Sequence, residues 1–358
     1  MKGREVVVSI AGKKGHDNVA MLGIGAYRPT RVVSNDEVCE VLDSTDEWIF
    51  ERSGIRNRRW ISGDESLRSI SVAAGRRALR NSGVDPSQIG ALILATSSWP
   101  MLTPHGAPIV ASDLGMNGIA AFDLTSGCGG FGYGLGVASD MIRAGSAEYV
   151  LLIGAETMTI GIDPTDRGTA FIFGDGAGAV VIGPSEENGI SPTVWGSDGE
   201  NAEAIKQDIN FVDYMQRAQD LQGTDPKVEP VGRMSLRMEG PRVFRWAAVT
   251  LPRALSTALD VAGVSKDDIE VFIPHQANAR INELMKKNLG LADDIPMAGD
   301  IENTGNTSAA SIPLAMEEML ATGKAKGGQL ALLLGFGAGL SYAGQVVILP
   351  PAPAESSL

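Results

Sequence analysis

Two stretches of this sequence, 180 positions apart, repeat one another. Ala78-Leu79, Gly83-Val84, Ile89 and the apolar run 91–94 return as Ala258-Leu259, Gly263-Val264, Ile269 and the run 271–274. Each copy reads as helix, glycine-marked turn and strand. A second echo pairs the helical pattern at 138–143 and the run 150–154 with the pattern at 313–320 and the run 330–335. A period this long cannot belong to a solenoid of 20–50-residue units; it indicates two fused βα halves. The runs at 91–94, 150–153 and 330–334 are apolar throughout, as in strands covered on both faces by helices. The expectation is an α/β protein of two duplicated halves in five layers, α/β/α/β/α.

The 358 residues exceed what a single core usually holds, which suits two halves. We divide the chain into an N-terminal arm at 1–18, halves at 19–188 and 189–350, and a disordered Pro/Ala/Ser tail at 351–358. Residues 201–235 are polar and fit neither copy, and read as an inserted helical excursion or lid. With 44 glycines and only 5% aromatic residues, close backbone packing is expected. A net charge of −13 opposes non-specific nucleic-acid binding, which draws its affinity from neutralised phosphates. No run of about 18 apolar residues is present, so no membrane span is expected. Two cysteines, Cys39 and Cys128, are too few for a disulfide framework, and a reactive thiol fits the cytoplasm.

Cys128 lies in Leu124-Thr125-Ser126-Gly127-Cys128-Gly129-Gly130, between an apolar strand and a helical pattern. A thiol at a helix N-terminus meets free N–H groups and a partial positive charge, which lower its pKa and can hold an oxyanion. Alone, such a cysteine is as readily a packing residue. His275, of three histidines, ends the apolar run 271–274, and Asn306 stands in the small-residue loop Gly305-Asn306-Thr307-Ser308-Ala309-Ala310-Ser311. Singly these read equally well as a core histidine and a helix cap. Together they offer a nucleophile, an imidazole and an amide donor. Under the duplication Cys128 comes from the first half and His275 and Asn306 from the second, so a site joining them lies where the halves meet.

These residues, with Ser44-Thr45-Asp46-Glu47-Trp48-Ile49, Asp163-Pro164-Thr165-Asp166-Arg167-Gly168, Phe173-Gly174-Asp175-Gly176-Ala177-Gly178 and Gly335-Phe336-Gly337-Ala338-Gly339, carry a resemblance over nearly the whole chain. It resembles the β-ketoacyl-acyl carrier protein synthase III family of thiolase-fold condensing enzymes, closest to actinobacterial-type members and polyketide starter-unit synthases. The resemblance implies decarboxylative Claisen condensation of an acyl-coenzyme A with malonyl-acyl carrier protein through an acyl-Cys128 intermediate. It implies no metal and no cofactor beyond the coenzyme A thioester used as substrate. His275 and Asn306 would stabilise the enolate, and the N–H groups of Cys128 and Ala338 the oxyanion. Trp48 and Arg167 would sandwich adenine, with Arg52, Gly240, Phe244, Ala277 and Asn278 along the coenzyme A path. Thr103 would reach the partner's acyl pocket in a homodimer. Arg245, Arg280, Lys286 and Lys287 would dock an acidic carrier protein. Where the family commonly has alanines beside the cysteine, this chain has Gly127 and Gly129, which leaves the choice of starter open. A starter-unit synthase or acyltransferase of an aromatic polyketide pathway is the sister reading. A cysteine hydrolase and a non-catalytic binding protein are remote ones, opposed by the duplication and by Trp48 and Arg167.

Overall fold

The computed structural model describes residues 12–220, 234–354 and 356. Two sheets carry the duplication. The first contains β1 (Val19–Tyr27), β2 (Ile89–Ala95), β3 (Ala120–Leu124), β4 (Tyr149–Thr157) and β5 (Asp175–Pro184), in the order β1-β5-β4-β2-β3. The second contains β6 (Val194–Ser197), β7 (Val271–Pro274), β8 (Leu330–Gly337) and β9 (Ser341–Ile348), in the order β7-β8-β9-β6. Strand senses agree as well: β2 runs parallel to β4 as β7 does to β8, while β4–β5 and β8–β9 are antiparallel. Even β3 has a remnant counterpart, a single parallel bridge from Phe272 to Met297.

The first echo is α1 (Leu67–Ser82) leading into β2, matched by α3 (Gly240–Ala262) leading into β7. The repeated glycines end those helices, with φ of 69° at Gly83 and 71° at Gly263, a left-handed turn that favours glycine. The second echo is α2 (Gly130–Arg143) before β4 and α4 (Ser311–Thr322) before β8. Helices α2 and α4 lie between the sheets, with α1 covering the outer face of the first sheet and α3 that of the second. One apolar cluster fills the centre, including Phe131, Leu135, Leu152, Ile312 and Leu333, and separate clusters lie under α1 and α3. This is the expected five-layer arrangement.

The middle layer explains much of the glycine. A Cβ on Gly134 would stand 2.5 Å from Leu152 Cδ1 in the first sheet, and one on Gly132 would stand 2.8 Å from Ala343 Cβ in the second. α2 therefore touches both sheets at backbone distance.

The excursion is partly described. Ile205–Gln207 pairs antiparallel with Leu236–Met238, and a helix, Phe211–Asp220, leaves the hairpin before the residues that lie outside the described set. Of the arm, residues 1–11 lie outside the described set. The tail departs from its expected disorder in the part described. Ala354 N–H donates to Asn81 Oδ1 at 3.1 Å, and the Ser356 hydroxyl donates to Glu317 Oε1 at 2.6 Å. Bonds to the body hold residues whose composition alone reads as a free end.

Candidate active site

Cys128 occupies a tight turn from β3 into α2. Gly129 N–H donates to Ser126 O at 3.1 Å and Gly130 N–H to Gly127 O at 3.0 Å. Gly127 takes φ 52°, so its glycine answers a left-handed backbone rather than only making room. The loop after β8 closes on this turn from the other half. A Cβ on Gly337 would lie 2.7 Å from Cys128 N, and one on Gly127 would lie 3.2 Å from Ala338 N. Glycine at both places lets the Ala338 amide and the nucleophile turn share one corner.

The expectation of a lowered thiol pKa does not hold. Burial pushes the Cys128 thiol up to about 11, and the nearby Glu156 carboxyl adds to the rise. The local rule for a thiol at a helix N-terminus is outweighed by desolvation from surrounding protein.

His275 follows β7 and is 1% exposed. Its N–H donates to Leu334 O at 2.7 Å, and its ring meets Phe336 edge-on with centroids 5.2 Å apart. Nδ1 lies 2.5 Å from Ser311 Oγ, which already accepts the Gln276 N–H at 3.3 Å. Ser311 thus anchors the Nδ1 side of the ring and leaves Nε2 as the nitrogen free to face the cavity that His275 lines. Burial lowers the imidazole pKa to about 3, so the ring is neutral at physiological pH.

That shift has a pH consequence. The unfolded chain protonates His275 near its ordinary 6.5, and the folded one only near 3. Below pH 6.5 the unfolded state binds the extra proton, so stability falls as pH drops from about 6.5 toward 3, by up to about 1.4 kcal/mol per pH unit from this residue. Thermal melting from pH 7.5 to 5 is expected to fall more steeply in the wild type than in His275→Gln. Equal slopes would contradict the assignment.

Asn306 bridges to the first half: its N–H donates to Ile172 O at 2.8 Å and its carbonyl accepts Gly174 N–H at 3.0 Å. Oδ1 accepts the Ser308 N–H at 2.8 Å, which fixes the amide orientation and leaves the Nδ2 hydrogens as the donors on offer.

Cys128, His275, Asn306 and Ala338 all line one cavity of about 470 Å³ that runs outward past Met158, Phe171 and Phe244 to Trp48 and Arg52. Such a volume suits a small-molecule arm. At its mouth the Arg167 guanidinium sits 5.1 Å from the Trp48 ring centroid and that of Arg52 5.5 Å. Trp48 is itself held edge-on by Phe171, with centroids 5.5 Å apart. The Arg167 guanidinium also lies 3.8 Å from the exposed Asp43 carboxylate. Gly240, Ala277 and Asn278 also line the cavity. The Asn278 side chain caps the following helix through Arg280 N–H and donates to Arg52 O at 2.8 Å, joining two parts of the mouth.

Of the other expected residues, Arg280 also lines the cavity, and Thr103, Arg245, Lys286 and Lys287 do not. Thr103 lies in an exposed loop beside Leu102, which is 73% exposed, and does not line this chain's own pocket. Arg245, Arg280 and Lys287 are exposed. Lys286 is not a free surface cation: its ammonium donates to Asp293 O at 2.9 Å and Ile295 O at 2.7 Å, tying its helix to the next loop.

Sequence reasoning missed three positions. Arg237 pairs with Asp163, Asp166 and Asp208, fastening the loop that bears Arg167 to the hairpin at 205–238. Ser308 has φ 50°, the one non-glycine residue with positive φ among those described, and its hydroxyl donates to Glu156 Oε1 at 3.1 Å. Glu156, at the end of β4, is fully buried beside it. A lone carboxylate closing an otherwise apolar strand was the available signal for Glu156. Among the described residues no cluster of potential metal ligands occurs, and no helix is long and apolar enough to cross a membrane.

The chain is similar to known proteins over nearly its whole length. Family models described as 3-oxoacyl-[acyl-carrier-protein] synthase III and its C-terminal part match residues 122–199 and 259–349. The chain is 53% identical to the β-ketoacyl-[acyl-carrier-protein] synthase III of Mycobacteroides abscessus, over 98% of this chain and 100% of that protein. It is also 53% identical to the mycobacterial enzyme of that name from Mycobacterium tuberculosis, over 96% and 99%. Among solved structures, a priming β-ketosynthase of a polyketide biosynthetic pathway superposes with a TM-score of 0.90 at 42% identity, covering 96% of this chain and 99% of that one. The 3-oxoacyl-[acyl-carrier-protein] synthase III of Aquifex aeolicus superposes at 0.83 with 32% identity, covering 92% and 100%. The chain belongs to the 3-oxoacyl-[acyl-carrier-protein] synthase III family and is an acyltransferase of the thiolase-like, condensing kind.

Proposed function

We propose that this chain joins an acyl-coenzyme A starter to malonyl-acyl carrier protein, opening a fatty acid or polyketide chain, with Cys128 carrying the acyl group between the two half-reactions. The single observation that carries this reading is the convergence of Cys128, the neutral His275 and the oriented Asn306 amide on one cavity. In the first half-reaction the Cys128 sulfur attacks the thioester carbonyl, and the N–H groups of Cys128 and Ala338 receive the oxyanion. Trp48, Arg52, Arg167, Gly240, Phe244, Ala277 and Asn278 take the coenzyme A. In the second, malonyl thioester loses carbon dioxide. His275 Nε2–H and the Asn306 amide donate to the enolate oxygen, a task for which a ring that stays neutral is suited because it donates without giving up its proton. The enolate carbon then attacks the acyl-Cys128 carbonyl. Exposed Arg245, Arg280 and Lys287 remain candidates for carrier docking, where local positive charge must offset repulsion between two acidic proteins.

The reading includes a homodimer. β3 forms one edge of the first sheet and pairs only with β2, leaving a row of backbone groups for a second copy. With the loop at 101–103 exposed on the same half, Thr103 would close the partner's acyl pocket. A small residue there leaves room for a medium, branched or long starter, each buried methylene contributing about 0.8 kcal/mol. Measuring kcat/KM from acetyl- to dodecanoyl-coenzyme A tests this. The wild type is expected to accept chains beyond acetyl, and Thr103→Phe to shift preference toward acetyl. A wild type confined to acetyl, or a profile the substitution leaves alone, would refute it.

A further inference from the structure

The acylation step needs an acceptor for the thiol proton, and the usual candidate is ill suited to it. His275 Nδ1 is held by the Ser311 hydroxyl at 2.5 Å, and its lowered basicity makes the ring a poor base. On the other side of the thiol lies a different arrangement. Ser308 lines the cavity together with Cys128, and its hydroxyl donates to Glu156 Oε1 at 3.1 Å. The left-handed backbone of Ser308, costly for a residue other than glycine, aims its hydroxyl at that carboxylate. Glu156 is 0% exposed, and among the described residues no cation pairs with it. It is held by the Ser97 N–H at 3.1 Å, the Thr96 hydroxyl at 3.2 Å and the Ser98 hydroxyl. These partners, from the end of β2 and the 308 turn, are all uncharged, and the titratable group it faces is Cys128.

We propose that Ser308 and Glu156 form a proton relay to Cys128, the Ser308 hydroxyl taking the thiol proton as it hands its own to the Glu156 carboxylate. The S–H bond of Cys128 and the O–H bond of Ser308 break while a new Ser308 O–H and a Glu156 O–H form, so thiol and carboxylate become thiolate and carboxylic acid. The sulfur electron pair attacks the thioester carbonyl carbon. When the tetrahedral intermediate collapses, the bond to the coenzyme A sulfur breaks with its electron pair, and the proton on Glu156 returns through Ser308 to that sulfur. Glu156 ends as it began. Since the thiol holds its proton more tightly than the carboxylate does, transfer is completed in concert with attack. Burial raises Glu156 to about 7, where a base at neutral pH is both free to accept and strong enough to do so.

The relay rests on Cys128 as the acylated thiol, so its test uses a reagent indifferent to the starter. Alkylation of Cys128 by iodoacetamide is followed by peptide mass from pH 5.5 to 9.5, in wild type, Glu156→Gln and Ser308→Ala, each checked by thermal melting. The wild-type rate is expected to rise through neutrality and level off. In both variants the rate at pH 7.5 is expected to fall about 100-fold and to keep climbing with pH. A profile within threefold of wild type in either folded variant overturns the relay. If Glu156→Gln does not fold, Ser308→Ala decides alone. Whether acyl-coenzyme A labels Cys128 is read separately, so failure of the relay and failure of the nucleophile assignment give different results.

Discussion

His275→Ala and Asn306→Ala are expected to accept an acyl group on Cys128 at close to the wild-type rate yet lose decarboxylation of the malonyl thioester by about 100- to 1000-fold each. Both residues donate to a charge that arises only in the second half-reaction, and neither holds the nucleophile turn, which is built from Ser126, Gly127 and the Ala338 loop. Release of labelled carbon dioxide from malonyl-acyl carrier protein, set beside single-turnover acylation, separates the steps. A variant that loses acylation as deeply as decarboxylation would make His275 a base for the thiol instead, contrary to its neutral, Ser311-bound ring.

Arg28→Met is expected to destabilise the fold by about 3–5 kcal/mol, lowering the melting temperature by roughly 4–7 °C. Arg28 lies at the exit of β1 and is 8% exposed. It donates to Glu317 Oε2 on α4 at 2.6 Å, to Asp300 Oδ1 at 3.2 Å and to Leu314 O at 2.8 Å. The cluster joins the first half to the second. Its energy is not the sum of its Coulomb attractions, because three buried charges have been desolvated to form it. The large effect comes from removing the Arg28 charge from a buried cluster whose two carboxylates, Asp300 and Glu317, stay behind. Adding Asp300→Asn and Glu317→Gln to Arg28→Met should recover much of the loss. If Arg28→Met alone melts within 2 °C of wild type, the cluster is not the joint described.

The architecture was legible because it was written twice. Helix, capping glycine and apolar strand recur at matched positions, and two buried sheets with the same strand order follow from placing equal patterns in equal surroundings. Cys128, His275 and Asn306 stood out for a related reason: Cys128 and His275 come after apolar runs and Asn306 stands in a small-residue loop before a helical pattern, so each had to emerge at a strand or helix end. What depended on partners distant in sequence was not legible. The thiol pKa was misjudged because its sign is decided by burial against residues near 156, 308 and 337, not by the local turn. Lys286 read as a surface cation because sequence does not reveal that the backbone of 293–295 folds back beneath it. Ser308 lay inside a loop singled out for Asn306, but its left-handed conformation is a property of the folded chain. The sandwich of Trp48 and Arg167 was found as a contact, closed in this conformation.

The most direct test is intact-protein and peptide mass spectrometry after incubation with an acyl-coenzyme A alone, without carrier protein. One acyl group per chain, on the peptide bearing Cys128, with release of one coenzyme A thiol and no adduct in Cys128→Ala, is the result predicted. No adduct across acetyl- to dodecanoyl-coenzyme A, or an adduct on Cys39 or any other residue that persists in Cys128→Ala, would contradict it.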